Sequence, residues 1–211
     1  MFLVKPSFEI LYINPNPLEL IERCGRTCYK SEDKITDKSS ESFVKMLIKK
    51  EHLSVVEHSM MTVRFTVDRG VSHELVRHRL CAFSQESTRY CRYDKHITFI
   101  IPPWCENLIE GTYKDNQKGC LSIQEAEWLD FMLKAEKTYI DLLYLGWSPQ
   151  QARSVLPNSL KTEIVVSTNL REWRHILRLR CSSEAHPQMR EIMIPLLESV
   201  RELIPVVFDD I

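Results

Sequence analysis

Residues 77–90 read Arg-His-Arg-Leu-Cys-Ala-Phe-Ser-Gln-Glu-Ser-Thr-Arg-Tyr. Three arginines, a histidine, two serines, a glutamine and a glutamate fall in this one stretch. Arginine is a planar, permanently charged fork that grips phosphate and carboxylate groups through paired hydrogen bonds. The interleaved hydroxyls and amides add donors and acceptors at close spacing. This is the chemistry of a binding wall for an anionic, hydrogen-bond-rich small molecule. A solvated basic loop is the alternative, and the interleaving weighs against it.

A second concentration of cations follows Asn169. At 100° per residue, Leu170, Trp173, Ile176 and Leu177 share one helical face. Arg171, Arg174, His175 and Arg178 gather on the opposite face. Arg180 falls among the apolar directions, near Trp173 and Ile176. A lone guanidinium on a core face is costly unless it is paired. Either the helix ends before Arg180, or its side chain enters a polar pocket whose occupant is anionic or carbonyl-rich.

The elements that must hold these groups follow from periodicity. Thr62 to Val67 alternates apolar and polar with a β-branched bias, which predicts a half-buried strand. Asp68 caps a short helix whose apolar side is Val71, Leu75 and Val76. Glu74, Arg77 and His78 are neighbours on that helix. Leu80 to Tyr93 lacks clean periodicity and reads as a loop, the usual place for binding groups. Further strands are predicted at 97–101 and 162–167, and helices at 15–26, 38–50, 123–145, 148–155, 169–180 and 187–203. Residues 52–59 form a connector, and 106–121, with Gly111 and Gly119, an exposed excursion. Core positions on the long helix are Ala126, Leu129, Leu133 and Ala135. The pattern is that of one α/β domain of the α+β type over residues 1–211, with a mostly antiparallel sheet packed with helices.

Composition narrows the function classes. The chain has 211 residues, of which 44% are hydrophobic, enough for a substantial core. Twenty-eight basic residues face 29 acidic ones, a net charge of −1, so the positive charge is local rather than global. That argues against a dedicated nucleic-acid binder. Such a module would use the loop 77–93, with Tyr90, Tyr93 and Trp104 as stacking platforms, but Glu74, Glu86 and Asp94 oppose it. No apolar run reaches membrane-spanning length and no secretory pattern is present, so a cytoplasmic protein without membrane contact is expected. The seven cysteines are scattered, with no Cys-x-x-Cys, and read as reduced thiols. His73 and His78 are five apart and do not share a helix face, so a metal site built from them with Cys81 is disfavoured and no metal is expected. Five glycines, none in a Gly-x-Gly arrangement, exclude the usual glycine-rich phosphate cradles. A nucleotide would have to be held by side chains.

The arginine-rich stretch resembles the signature of the flavin-dependent thymidylate synthases, Arg-His-Arg-x-x-Ser-x-(Asn or Ser)-x-x-Ser-x-Arg. Arg77, His78, Arg79, Ser84, Ser87 and Arg89 match it in spacing, while Ala82 stands where serine is usual. Glu57-His58, Gln151 to Pro157, and Thr168 to Arg171 followed by His175 and Arg180 are similar to further elements of that family, in family order. The resemblance implies reductive methylation of dUMP to dTMP, with methylenetetrahydrofolate as carbon donor, FAD as redox carrier and NADPH as reductant. It implies dUMP contacts at Glu74, Gln85, Ser87, Arg89, Arg153 and Arg180, with Arg180 catalytic against the N3/O2 edge of uracil. It implies FAD contacts at His58, Arg77, His78, Arg79, Asn169, Arg171 and His175. It also implies a homotetramer whose active sites are shared between subunits, and no cysteine nucleophile.

Overall fold

The computed structural model describes residues 1–114 and 121–211. In chain order these form β1 (Phe2–Val4), β2 (Ser7–Ile13), α1 (Pro17–Tyr29), α2 (Ser39–Lys49), β3 (Met60–Asp68), α3 (Arg69–Leu75), β4 (Ala82–Gln85) and β5 (Thr98–Ile100). There follow β6 (Gly111–Thr112), α4 (Ile123–Tyr144), α5 (Pro149–Ala152), β7 (Lys161–Asn169), α6 (Leu170–Arg180), α7 (Pro187–Leu203) and α8 (Pro205–Phe208). The α/β architecture with antiparallel pairing is borne out. β1 departs from it by pairing parallel with β5, Leu3 opposite Phe99, while it pairs antiparallel with β6. The three-stranded sheet has the order β5-β1-β6 and the four-stranded sheet β2-β3-β7-β4. Among the described residues no helix is long and apolar enough to cross a membrane.

Several boundaries differ from the sequence reading. The segment 80–93, expected to be loop throughout, contains β4, whose residues are only half-buried at best. It carried no apolar alternation to reveal it. The first helix starts at Pro17 rather than Pro15, because proline suits the first helical turn and Asn16 adopts a left-handed backbone, φ 49°. The connector 52–59 holds a 3-10 turn at Leu53–His58. The helix expected at 148–155 is α-helical only to Ala152 and tightens to a 3-10 turn at Arg153–Val155, ahead of Pro157. Of the excursion 106–121, Gly111–Thr112 pairs as β6, and Gly119 lies outside the described residues.

By internal contacts the chain forms two compact units, each assembled from three stretches. The first is Met1–Ser7, Phe65–Arg77 and Ser84–Ile164; the second is Phe8–Arg64, His78–Phe83 and Val165–Ile211. In the first unit, α4 buries Leu129, Met132, Ala135, Tyr139 and Leu143 in one cluster with Leu3, Ile97 and Phe99. These positions recur every three or four residues, as one helical face requires. Ala126 and Leu133, expected in that core, are only partly buried. The start of α4 is fixed by a reciprocal cap. The Ser122 hydroxyl accepts from the Glu125 amide at 3.2 Å, and the Glu125 carboxylate accepts from the Ser122 amide at 2.8 Å.

In the second unit, Trp173 on α6 is fully buried and donates its indole N–H to the Met61 carbonyl of β3 at 2.9 Å. Ile176 and Leu177 complete that apolar face. Arg174, expected on the solvent side, is buried, only 4% exposed. It sits at the boundary of the apolar stripe, and the segment after α7 reaches it. Its Nη1 and Nη2 bond the two Asp210 carboxylate oxygens at 2.6 and 2.7 Å, and Nη1 also bonds the Val207 carbonyl. The guanidinium in turn holds the Asp210 carboxyl below its ordinary pKa.

Candidate active site

The arginine-rich segment divides between the two units. Residues 78–83 belong to the second unit, together with α6. There β7 hands over to α6 through Asn169, whose side chain accepts from the Glu172 amide at 2.8 Å. This cap puts Glu172 and His175 on successive turns of one helical side. α6 runs through Arg180, so the possibility that the helix stops short of that residue is excluded. The Arg180 side chain meets an imidazole: its Nε donates to His78 Nε2 at 3.0 Å. The other ring nitrogen, Nδ1, lies 3.9 Å from the Glu172 carboxylate, and the His175 ring stands edge-on to His78 with centroids 5.9 Å apart. Thr168 donates to the Leu80 carbonyl at 2.7 Å, which ties this segment to β7.

His78 is buried, and burial chiefly, then the Arg180 and His175 charges, lower its pKa to about 4. The ring is therefore neutral at pH 7. Because Nε2 accepts a hydrogen bond, the single ring proton resides on Nδ1, facing Glu172. Beside this cluster is a cleft of about 510 Å³ lined by Glu57, Leu80, Asn169, Arg171, Glu172 and His175. Arg171 pairs with Glu57 across it. His78, Glu172 and His175 also offer ligand atoms within 4.8 Å of one another. A cation there would have to displace the Nδ1 proton and sit beside a guanidinium, which disfavours it.

The first unit holds the rest of the wall. Gln85 donates from Nε2 to Ser72 Oγ at 2.8 Å and to Thr162 Oγ1 at 3.3 Å, tying β4 to α3 and β7. Glu86 takes the Tyr93 hydroxyl and the Lys161 ammonium, the latter at 3.2 Å. Ser87 opens a turn: its carbonyl accepts from the Tyr90 and Cys91 amides, and its hydroxyl from the Arg89 amide at 3.3 Å. Arg153 donates from Nη1 to the buried Thr88 hydroxyl at 3.1 Å. A cleft of about 470 Å³ lies here, its walls including Arg69, His73, Thr88, Arg153, Ser154 and Asn158. Three cationic or titratable nitrogen groups and two hydroxyls make it suited to an anion.

Of the residues singled out from sequence, Glu74, Arg77, Gln85, Ser87, Arg89 and Arg153 lie in the first unit. His58, His78, Arg79, Asn169, Arg171, His175 and Arg180 lie in the second. The structure brings His78, His175 and Arg180 into one cluster, and Asn169, Arg171 and His175 into one cleft. Arg77, Arg79 and Arg89 are exposed. Sequence reasoning missed Glu172, Thr88 and Arg69, and named Glu57 only as the neighbour of His58. Glu172 was findable, being three residues from the cap Asn169 and three from His175. Thr88 carried no local signal, since its partner is 65 residues away.

Residues 9–206 match the family described as thymidylate synthase complementing protein. A flavin-dependent thymidylate synthase of Mycobacteroides abscessus is 34% identical over 198 residues, 90% of this chain and 78% of that protein. One from Mycobacterium tuberculosis H37Rv is 32% identical over the same span and coverage. One from Corynebacterium diphtheriae is 31% identical over 204 residues, 90% of this chain and 77% of its own. In three dimensions the chain resembles PolB of Streptomyces cacaoi, a UMP/dUMP methylase bound with 5-Br dUMP. The TM-score is 0.76 at 22% identity, covering 99% of this chain and 96% of that one. This last likeness concerns the fold.

Proposed function

The chain belongs to the thymidylate synthase complementing protein family, that of the flavin-dependent thymidylate synthases, and from that premise we propose that it methylates dUMP to dTMP. In this reading methylenetetrahydrofolate gives the carbon, NADPH is the reductant and FAD the redox carrier. The carrying observation is Arg180, a guanidinium on the apolar side of α6 that rests on the imidazole of the Arg-His-Arg motif. A planar cation fixed there matches the N3/O2 edge of a pyrimidine, where negative charge develops as C5 attacks carbon. Gln85, Ser87, Arg89 and Arg153, with Glu74, then hold the nucleotide. Arg153 is supported by Thr88, and its cleft has the donors a phosphate needs.

Flavin, when bound, supplies the hydride chemistry. The residues around the cleft of the second unit fit such a group. Asn169, Arg171 and His175 present an amide, a guanidinium and an imidazole to one space, and the chain has no glycine-rich phosphate cradle to compete. His58, Arg77 and Arg79 complete the set proposed for FAD; the resemblance would add His78, but its imidazole is engaged by Arg180. The remaining element is a homotetramer in which each active site draws residues from more than one subunit.

The test is direct. Purified protein incubated with FAD should acquire a flavin spectrum, and with dUMP, methylenetetrahydrofolate and NADPH it should form dTMP. Arg180→Ala should retain the spectrum and lose turnover, and Arg180→Lys should also fail because a point charge does not replace a planar fork. A protein that takes up no flavin, or an Arg180→Ala variant of full activity, would sink the reading.

A further inference from the structure

We propose that His78 is a positioning residue for Arg180, locked as the Nδ1–H tautomer by Glu172, and that it belongs to the pyrimidine-recognising machinery rather than to the flavin set. The inference rests on the reading of Arg180 given above and adds the device that aims it.

The geometry assigns every polar atom of the ring. Nε2 lies 3.0 Å from Arg180 Nε, an N–H donor with no acceptor capacity, so Nε2 must carry the lone pair. The proton is then on Nδ1, which faces the Glu172 carboxylate at 3.9 Å. A carboxylate on that side favours the tautomer that puts a proton toward it. The Glu172 backbone is fixed at the helix start, since its amide is the one that Asn169 caps. The order of support runs from Asn169 to Glu172 to His78 to Arg180, all within one unit.

The consequence for Arg180 is orientational. A guanidinium can grip a planar ligand through its Nε–Nη edge or through its two terminal nitrogens. With Nε committed to His78, the first edge is closed and the plane of the group is set. Paired contacts to an imide edge would then fall to the terminal nitrogens. Protonating or removing the imidazole would take away the acceptor that Nε uses and one restraint on the plane. His78 itself is buried at 5% exposure, whereas the edge-on His175 ring is exposed and lines the cleft, so His175 rather than His78 meets it.

The experiment is a double-mutant cycle on FAD-loaded enzyme, read as binding of dUMP and of FAD. His78→Phe should weaken dUMP binding at least about tenfold, the range for a lost charge-assisted hydrogen bond, and leave FAD affinity within about twofold by the same reasoning. His78→Gln should restore most of the loss, because its side-chain carbonyl can accept from Arg180 Nε. In an Arg180→Ala background His78→Phe should cost dUMP binding nothing further. Additive losses, or an FAD defect with dUMP binding intact, would overturn the proposal. A second measurement needs no variant to fold as expected: ¹⁵N spectra of histidine-labelled wild-type enzyme at pH 7 should place the His78 proton on Nδ1. An Nε2–H tautomer would also overturn it. Normal dUMP binding by Arg180→Ala, by contrast, would remove the substrate role of Arg180 while the tautomer result still reported on the His78–Arg180 bond.

Discussion

The thiols beside the arginines are poor nucleophiles. Burial pushes the Cys81 thiol up to about 11, with Thr168 opposing and Glu172 adding to the shift. Burial likewise pushes Cys181 to about 11. At pH 7 such a thiol is ionised to only about one part in ten thousand, whereas an attacking cysteine needs a lowered pKa. Cys81→Ala and Cys181→Ala should therefore each keep dTMP formation within about tenfold, a barrier change of ~1.4 kcal/mol. The measurement is NADPH-driven conversion of dUMP, and a loss of several orders of magnitude at unchanged flavin content would establish a thiol mechanism. At this scale the sequence was most legible where a residue broke a pattern. Arg180 stood out because it contradicts the apolar face around it. Arg174 did not, because it sits at the edge of the stripe, and only the chain around Asp210 makes that edge interior. The pairing of Arg180 with His78 was likewise invisible, since 102 residues separate them.

Elements were legible in proportion to their length and burial. β3, β7, α4, α6 and α7 were read nearly to their ends, because each buries a full face at period 2 or 3.6. β1, β2, β4 and β6 were missed: β1, β4 and β6 are two to four residues long, and β2, though seven residues long, has no fully buried residue to betray a core face. The helix pair α1 and α2 offers a test of packing over propensity. Gly25 lies mid-helix, where alanine ordinarily gains about 1 kcal/mol. Here an added Cβ would stand 2.7 Å from Phe43 Cε1 and 3.0 Å from Leu47 Cδ1. Both side chains are buried and cannot retreat cheaply. Gly25→Ala should accordingly destabilise the protein, by about 1–3 kcal/mol, seen as a lowered urea midpoint at unchanged slope. A gain in stability would mean that the two helices have slack.

The whole molecule is interleaved: each unit is built from three stretches, and the residues proposed for substrate and for flavin sort mainly into different units. No cut of the chain separates the two functions. Sequence could reach the residues and the family resemblance, but not this partition, which depends on long-range contacts. If active sites are shared between subunits, inactive Arg89→Ala and Arg171→Ala chains mixed after partial dissociation should regain activity, and sedimentation should report tetramers. An active species that sediments as a monomer would end that proposal. The clamp on Arg174 has a consequence in time. During synthesis the guanidinium of α6 is made long before its counter-ion, and α6 cannot bury it without cost until residue 210 has emerged. The stretch 8–64 must also wait for 165–211 before its unit can close. The second unit therefore stays unfinished in the nascent chain from the first helices until the stretch 165–211 has been made.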